Sequence, residues 1–356
     1  MTAADIPKTM LAWQKHFGTH GPVRVEIPVP SISEDGLLVK IRAAGVCHSD
    51  INLIKFEVKT GSWFRDKYTL GHEGAGEVVR VGPNVKNFRV GDMVAIHPGA
   101  GCMQSTCRPC SIGQTQFCER GDHHGVGEDG SFAPYIAIKA ASAIKMPLNV
   151  SFAEGAVAMD SIMTAYHAVV QRAAAQNEET VLLYGLGGLG FSALQILLHI
   201  GSRVIVVDQK QTVLDQAVKF GVKEEDVVPP ETQNVAEWIQ KKGLVPDKAI
   251  DFVGSSGTFK ASCEAVRPGG TIVLVGMFED SVTFYHRRGI RKGLNVLCSL
   301  GGTYADAAKG LELVSAGVIS PQVELRSLFD LPQALYDLDC GKVKGRIVLV
   351  PEDRVV

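Results

Sequence analysis

Between Val23 and Lys139 the apolar positions fall in short, separated bursts. Val23–Pro30 (VRVEIPVP), Gly36–Cys47 (GLLVKIRAAGVC), Gly76–Gly82 (GEVVRVG), Gly91–Gly99 (GDMVAIHPG) and Phe132–Lys139 (FAPYIAIK) alternate or run apolar, and Gly, Pro or Asn bounds them. That pattern predicts strands, and with helical spacing scarce it predicts a β-rich, partly open barrel. At Ser151 the period changes. SFAEGAVAMDSIMTAYHAVVQRA opens on a Ser three residues before Glu154, a capping box, and continues at helical spacing. Near-continuous apolar strands then alternate with helices: Thr180–Gly185, Arg203–Asp208, Lys248–Gly254, Gly270–Gly276 and Leu294–Gly302. Such strands are buried on both faces of a parallel sheet, so this part predicts a doubly wound α/β domain. The closing segment Gly345–Arg354 reads as one more strand, free to return to the first domain.

At 356 residues the chain exceeds one ordinary domain, so two are expected. The formal charge is -2 and the basic stretch around His286, Arg287 and Arg288 is short. Nucleic acid and anionic membranes need clustered Lys and Arg, so neither is an expected partner. The N-terminus lacks a secretory pattern, and the most apolar run, Phe191–Ile200, is about half a membrane span. A cytoplasmic location follows, and in a reducing compartment clustered cysteines are metal ligands more often than disulfides.

Gly185, Gly187 and Gly190 stand in G-x-G-x-x-G spacing after a strand and before a helix, with Asp208 closing the next strand. The first glycine permits a tight turn, the second admits a pyrophosphate against backbone, and the third lets helix pack on sheet. The helix N-terminus then faces the phosphates. Asp208 would accept hydrogen bonds from the adenosine ribose and repel a 2′-phosphate, which favours NAD(H) over NADP(H). Lys210 softens that preference.

GVCHSDIN (Cys47, His48, Ser49, Asp50) and LGHEGAGEV (His72, Glu73) precede VGDMVA, a cysteine cluster, TAYHA and GLGGLG. In that order, over essentially the whole chain, they resemble the zinc-dependent alcohol dehydrogenases of the medium-chain dehydrogenase/reductase superfamily. The resemblance implies a GroES-like catalytic domain over residues 1–158 and 300–356 and a Rossmann cofactor domain over 159–299. It implies Cys47 and His72 as catalytic zinc ligands, with Asp160 at the third ligand position. Glu73 would be an acid close to the metal, Asp50 would orient the histidine, and Ser49 would pass the substrate proton onward. The relay position after Ser49 is often His in the family; here it is Asn52, which cannot titrate. His48, Thr164, Gly188, Leu189, Val253, Gly276 and Arg346 match family contacts to the cofactor, Arg346 through its phosphates.

Four of the eight cysteines lie between Cys102 and Cys118. The family carries a structural zinc at C-x2-C-x2-C-x7-C, and Cys107, Cys110 and Cys118 reproduce its last three ligands. Strict spacing puts Gln104 at the first. Thiolate is the better zinc ligand and a longer loop costs little, so Cys102 is preferred, with Gln104 the alternative. Cys263, Cys298 and Cys340 have no partners at metal spacing and read as buried small apolar residues.

The implied activity is hydride transfer between NAD(H) and an alcohol–ketone or alcohol–aldehyde pair, by a homodimer or homotetramer joined along the edge strand at Leu294–Gly302. Asp160 and the Gly125–Tyr135 stretch are similar to fungal-type NADH-dependent carbonyl reductases and secondary alcohol dehydrogenases. Trp63 and Phe64 offer either an aromatic wall for a bulky ketone or simple packing. Two rivals remain: a zinc-free reductase of activated C=C bonds, and a non-catalytic nucleotide-binding relative. The zinc-free members lack the ligands that Cys47, His72 and Asp160 supply.

Overall fold

A computed structural model describes residues 6–59 and 61–351. The chain divides into two units, one running to Met163 with Gly302–Ala316 and the residues from Pro321 onward, the other Thr164–Gly301 with Gly317–Ser320.

The first unit is built on a sheet ordered Val323–Ser327, Arg346–Val350, Gly36–Val46, Glu73–Val81, Met93–Ile96, Ala143–Lys145, with Tyr135–Lys139 also on Gly36–Val46. All its pairings are antiparallel except the one between Val323–Ser327 and Arg346–Val350. Gly36–Val46 is the hub. Register shifts at Leu38/Val39 and Ile41/Ala43 bend it, so that its two halves serve different partners. The closing strand does return, setting Ile347 opposite Val46. A second sheet orders Val23–Pro28, Thr9–His16 and Lys67–Thr69. Thr9–His16 was hidden in the sequence because Gln14 and Lys15 interrupt its apolar pattern. Both are buried, and Lys15 donates from Nζ to the carbonyl of Ile54 at 2.5 Å.

In the second unit five parallel strands run in the order Arg203–Val207, Thr180–Tyr184, Lys248–Asp251, Thr271–Leu274, Asn295–Cys298. Leu182, Tyr184, Ile205, Ala249 and Ile272 form the middle of its core. The capping box at Ser151 is present: its hydroxyl accepts from the Glu154 N–H, while Glu154 reaches back to the Ser151 N–H. That helix, Phe152–Val157, then widens into π-helical geometry over Ala158–Ile162, a form common at functional sites.

The three unassigned cysteines divide. Cys263 is buried as expected, but Cys298 and Cys340 are exposed. Cys298 ends a sheet-edge strand, and Cys340 caps the amphipathic helix Leu331–Asp339, positions where burial is not imposed.

His97, just past the Met93–Ile96 strand, is buried; its Nδ1 accepts from the Gly99 N–H at 3.1 Å. The proton therefore sits on Nε2. Burial drives the pKa down to about 4, against bonds that work to raise it. Between the ordinary histidine value and that one, the unfolded chain holds a proton that the folded chain lacks, so stability falls as pH falls. From pH 7 to 5 the loss should reach about 2 kcal/mol. Denaturant midpoints at both pH values for wild type and His97→Asn, which keeps an acceptor for Gly99, check this. An equal loss in both proteins would assign it elsewhere.

Candidate active site

Cys47 is the N-cap of the short helix His48–Lys55, which sequence periodicity did not reveal. Three residues in, the fully buried Asp50 turns back. Its Oδ2 accepts from the Cys47 N–H at 2.9 Å, and its Oδ1 lies 3.1 Å from His72 Nδ1. One carboxylate thus seats two prospective ligands. Because a carboxylate accepts, His72 carries a proton on Nδ1, which leaves Nε2 as the atom that would hold a metal.

Around that atom, ligand atoms of Cys47, His72, Glu73 and Asp160 all lie within 4.8 Å of one another. Thiolate, imidazole and carboxylate suit zinc, and the donors outside the first layer orient it as zinc sites require. Asp160 Oδ2 is 3.8 Å from His72 Nε2. The Ser49 hydroxyl accepts from the Cys47 thiol at 3.6 Å. Asn52 and His48 are exposed.

Arg346 arrives from the closing strand. Its guanidinium is buried and bonds both oxygens of Glu73, Nε donating at 3.1 Å, while Nη2 also donates to Asp160 Oδ2 at 2.5 Å. It is an ion-pair hub for the metal-site acids. The backbone is fitted to this hub. A Cβ on Gly45 would fall 2.0 Å from Glu73 Oε2, so only glycine leaves room for that carboxylate. Burial pushes Glu73 up to about 8, more than Arg346 pulls it down. Asp160 goes the other way: burial opposes its charge, but bonds and charges from His72 and Arg346 hold its carboxyl well below the usual range. Burial likewise opposes a charge on His72, yet Asp50 and Asp160 raise it overall in the metal-free chain.

The cysteine lobe closes on itself. Cys102, Cys107, Cys110 and Cys118 lie together, whereas Gln104 stands in the exposed run 103–106. Cys102–Cys110 sulfurs are 3.9 Å apart and Cys107–Cys118 sulfurs 3.6 Å apart. Sulfurs on a tetrahedral zinc would be about 3.8 Å apart, so the four thiols fit that ion. Met103 at φ 53 makes the turn of the longer loop. Gly101 is held at φ +82, with Cys110 Sγ only 3.0 Å from where its Cβ would lie.

In the second unit the glycine loop fits a dinucleotide. Gly185 has φ +81, and a Cβ on Gly190 would sit 1.8 Å from the Gly185 carbonyl. At Gly187, the N-cap of Gly188–Ile200, a Cβ would meet only open space, which leaves the backbone approachable by phosphate. Leu189 is half-buried in the first turn of that helix. Asp208 accepts from the N–H groups of Leu186 at 2.8 Å and Lys210 at 3.0 Å, which fixes its carboxylate at the loop. Val253 and Gly276 pack together, a Cβ on Gly276 falling 2.2 Å from the Val253 carbonyl carbon. Thr164 is buried. Among the described residues no helix is long and apolar enough to cross a membrane.

Trp63 and Phe64 have separate occupations. Phe64 is core, edge-on to Tyr68 at 6.0 Å; Trp63 stacks on His123 at 4.2 Å. The packing reading of the pair accounts for these contacts.

Comparison with known proteins agrees with this geometry. Residues 33–148 match the alcohol dehydrogenase GroES-like domain and residues 188–316 the zinc-binding dehydrogenase domain. An alcohol dehydrogenase of Geobacillus stearothermophilus is 33% identical over 92% of this chain and 96% of its own length. An NAD-dependent alcohol dehydrogenase of Sulfurisphaera tokodaii is 29% identical over 93% of this chain and 97% of its own. Among solved structures, acetophenone reductase from Geotrichum candidum in complex with NAD is 29% identical, with TM-score 0.89 over 99% of this chain and all of that one.

Proposed function

This chain belongs to the zinc-containing medium-chain alcohol dehydrogenases, and from that premise we propose that it is a reductase of ketones, run in reverse on secondary alcohols. Interconversion of alcohols and carbonyls with NAD(H) is the activity of the enzyme; Cys47, His72 and Glu73 belong to its catalytic zinc site and the four cysteines to its structural one. The ketone assignment is carried by the whole-chain likeness to acetophenone reductase.

Zinc held by these residues supplies Lewis acidity toward the substrate oxygen, and NAD(H) supplies or accepts the hydride. The chain's own residues do the rest. Asp50 fixes the histidine tautomer and the Cys47 backbone together. We take Asp160 as the direct carboxylate ligand, because both oxygens of Glu73 are engaged by Arg346. Ser49, half-buried beside Cys47, takes or gives the substrate proton at its hydroxyl. Asn52 cannot continue that relay by titrating, so the exposed His48 or solvent does. Two copies joining along Asn295–Cys298, at the edge of the parallel sheet, is the assembly we favour, in a reducing compartment that keeps the lobe cysteines as thiols.

Loss of NADH absorbance should follow addition of acetophenone to the zinc-loaded protein, and 1-phenylethanol should reduce NAD. Turnover of enones or quinones alone, with neither of these, would transfer the chain to the C=C reductases. Cofactor preference is set at Asp208. Asp208→Ser removes the charge facing a 2′-phosphate and should cut the ratio of kcat/KM for NADH over NADPH by about 10- to 100-fold, or roughly 1.4–2.7 kcal/mol. A wild type that already prefers NADPH would sink this assignment.

A further inference from the structure

Residues 118–131 lie between two places the reaction scheme treats as unrelated, the four-cysteine lobe and the backbone of His72. At one end the ring of His123 meets the carbonyl of the lobe ligand Cys118, with Nε2 at 3.0 Å. A carbonyl only accepts, so Nε2 carries the proton. The His123 N–H is held by Glu128 Oε2 at 3.0 Å. Its ring face lies 4.2 Å from the Trp63 indole at 17°, and the indole N–H donates to the Val126 carbonyl at 2.9 Å.

At the other end the loop is laced to the segment that leads into His72. Thr69 donates to Asp129 Oδ1 at 2.8 Å. Gly130 donates to the Thr69 carbonyl at 2.8 Å and Ser131 to the Gly71 carbonyl at 2.7 Å. Gly125, at φ +76, is pressed so close that a Cβ there would lie 2.3 Å from the Gly71 carbonyl oxygen and 2.7 Å from the His72 nitrogen. No side chain cushions this contact. A shift of the loop is a shift of the His72 backbone.

We propose that His123 is a positioning residue that makes the hold of the catalytic site on its metal depend on the four-cysteine lobe. The lobe's metal fixes Cys118, Cys118 fixes His123, and the loop behind His123 fixes where His72 presents Nε2. The inference rests on the zinc reading of both sites and adds a dependence of one upon the other.

The test follows zinc release to a chromogenic chelator, beside melting temperature and total zinc per chain. Cys107→Ser, which keeps only the catalytic ion, identifies that phase. Removing an outer partner of a metal ligand weakens metal binding by about 10- to 100-fold, and through this longer path His123→Ala should speed catalytic release by about 3- to 10-fold. His123→Gln, which keeps a donor for Cys118, and His123→Phe, which keeps the stack on Trp63, should each fall between His123→Ala and wild type. They carry the test if His123→Ala does not fold. Cys107→Ser should release its catalytic zinc at the His123→Ala rate, and the double variant no faster, since both cut the same path. Wild-type release rates in all the His123 variants, or additive acceleration in the double variant, would overturn the coupling. A wild type that never carries two zinc ions would instead overturn the reading on which it rests.

Discussion

His72→Ala should lower kcat/KM for ketone reduction by about 10³- to 10⁴-fold, corresponding to some 4–6 kcal/mol of lost transition-state stabilisation. The same protein should carry one zinc per chain, the one in the cysteine lobe. The argument is local. Among Cys47, His72, Glu73 and Asp160, the imidazole is the neutral donor, and Asp50 is committed to aiming it. Truncation also strands Asp50 in the interior, still bonded to the Cys47 N–H but short of its other partner. Some loss of stability is therefore expected, about 1–3 kcal/mol, and assays belong well below the melting temperature. Elemental analysis beside steady-state kinetics separates the possibilities. Retained activity with one zinc would mean that the Cys47–His72 centre is not where chemistry happens.

Arg346→Met should produce the largest change in stability, about 3–5 kcal/mol in the metal-stripped protein, because it leaves buried carboxylates without their cation. Glu73 is fully buried, and Arg346 answers both of its oxygens as well as Asp160. Adding Glu73→Gln should recover part of the loss, since the amide removes a buried acid that has lost its partner. Urea titrations of the single and double variants after chelation measure both effects. A loss below about 1 kcal/mol would place the group in the class of weak, solvated ion pairs. Metal should narrow the gap between variant and wild type, because it supplies positive charge to the same acids.

The fold was legible wherever one physical period dominated. Alternation over Val23–Pro28 and Gly36–Val46 and the apolar runs of the parallel sheet read directly as strands. So did elements marked by chemistry, such as the Ser151 capping box and the Gly185–Gly190 turn. What stayed hidden was structure in which tertiary contacts override the local pattern. Thr9–His16 carries a buried lysine; His48–Lys55 is short and starts on a cysteine. The cysteine cluster stood out locally, whereas Cys47, His72 and Asp160 could be named only through the family resemblance, because a lone Cys, His or Asp carries no signal of its own. The partner of Glu73 was not legible, because 273 positions separate it from Arg346 and no periodicity spans that interval. His123 carried no signal either. A histidine in a polar loop is ordinary until its neighbours in space are known.

The return of the Arg346–Val350 strand also has a meaning in time. Glu73 and Arg346 become neighbours 273 residues apart, and Asp160 and Arg346 186 apart. At ribosomal rates of about 5–20 residues per second, roughly 14–55 s pass between synthesis of Glu73 and of Arg346, and roughly 9–37 s between Asp160 and Arg346. By the end of that interval Thr164–Gly301 is a continuous stretch able to fold, while the hub strand Gly36–Val46 still has an open edge where Ile347 will sit. The catalytic centre is therefore a late event in the life of the chain. Its acids acquire their cation only as the last strand emerges, so a polypeptide halted before Arg346 would carry its cysteine lobe complete and its reaction centre unbalanced.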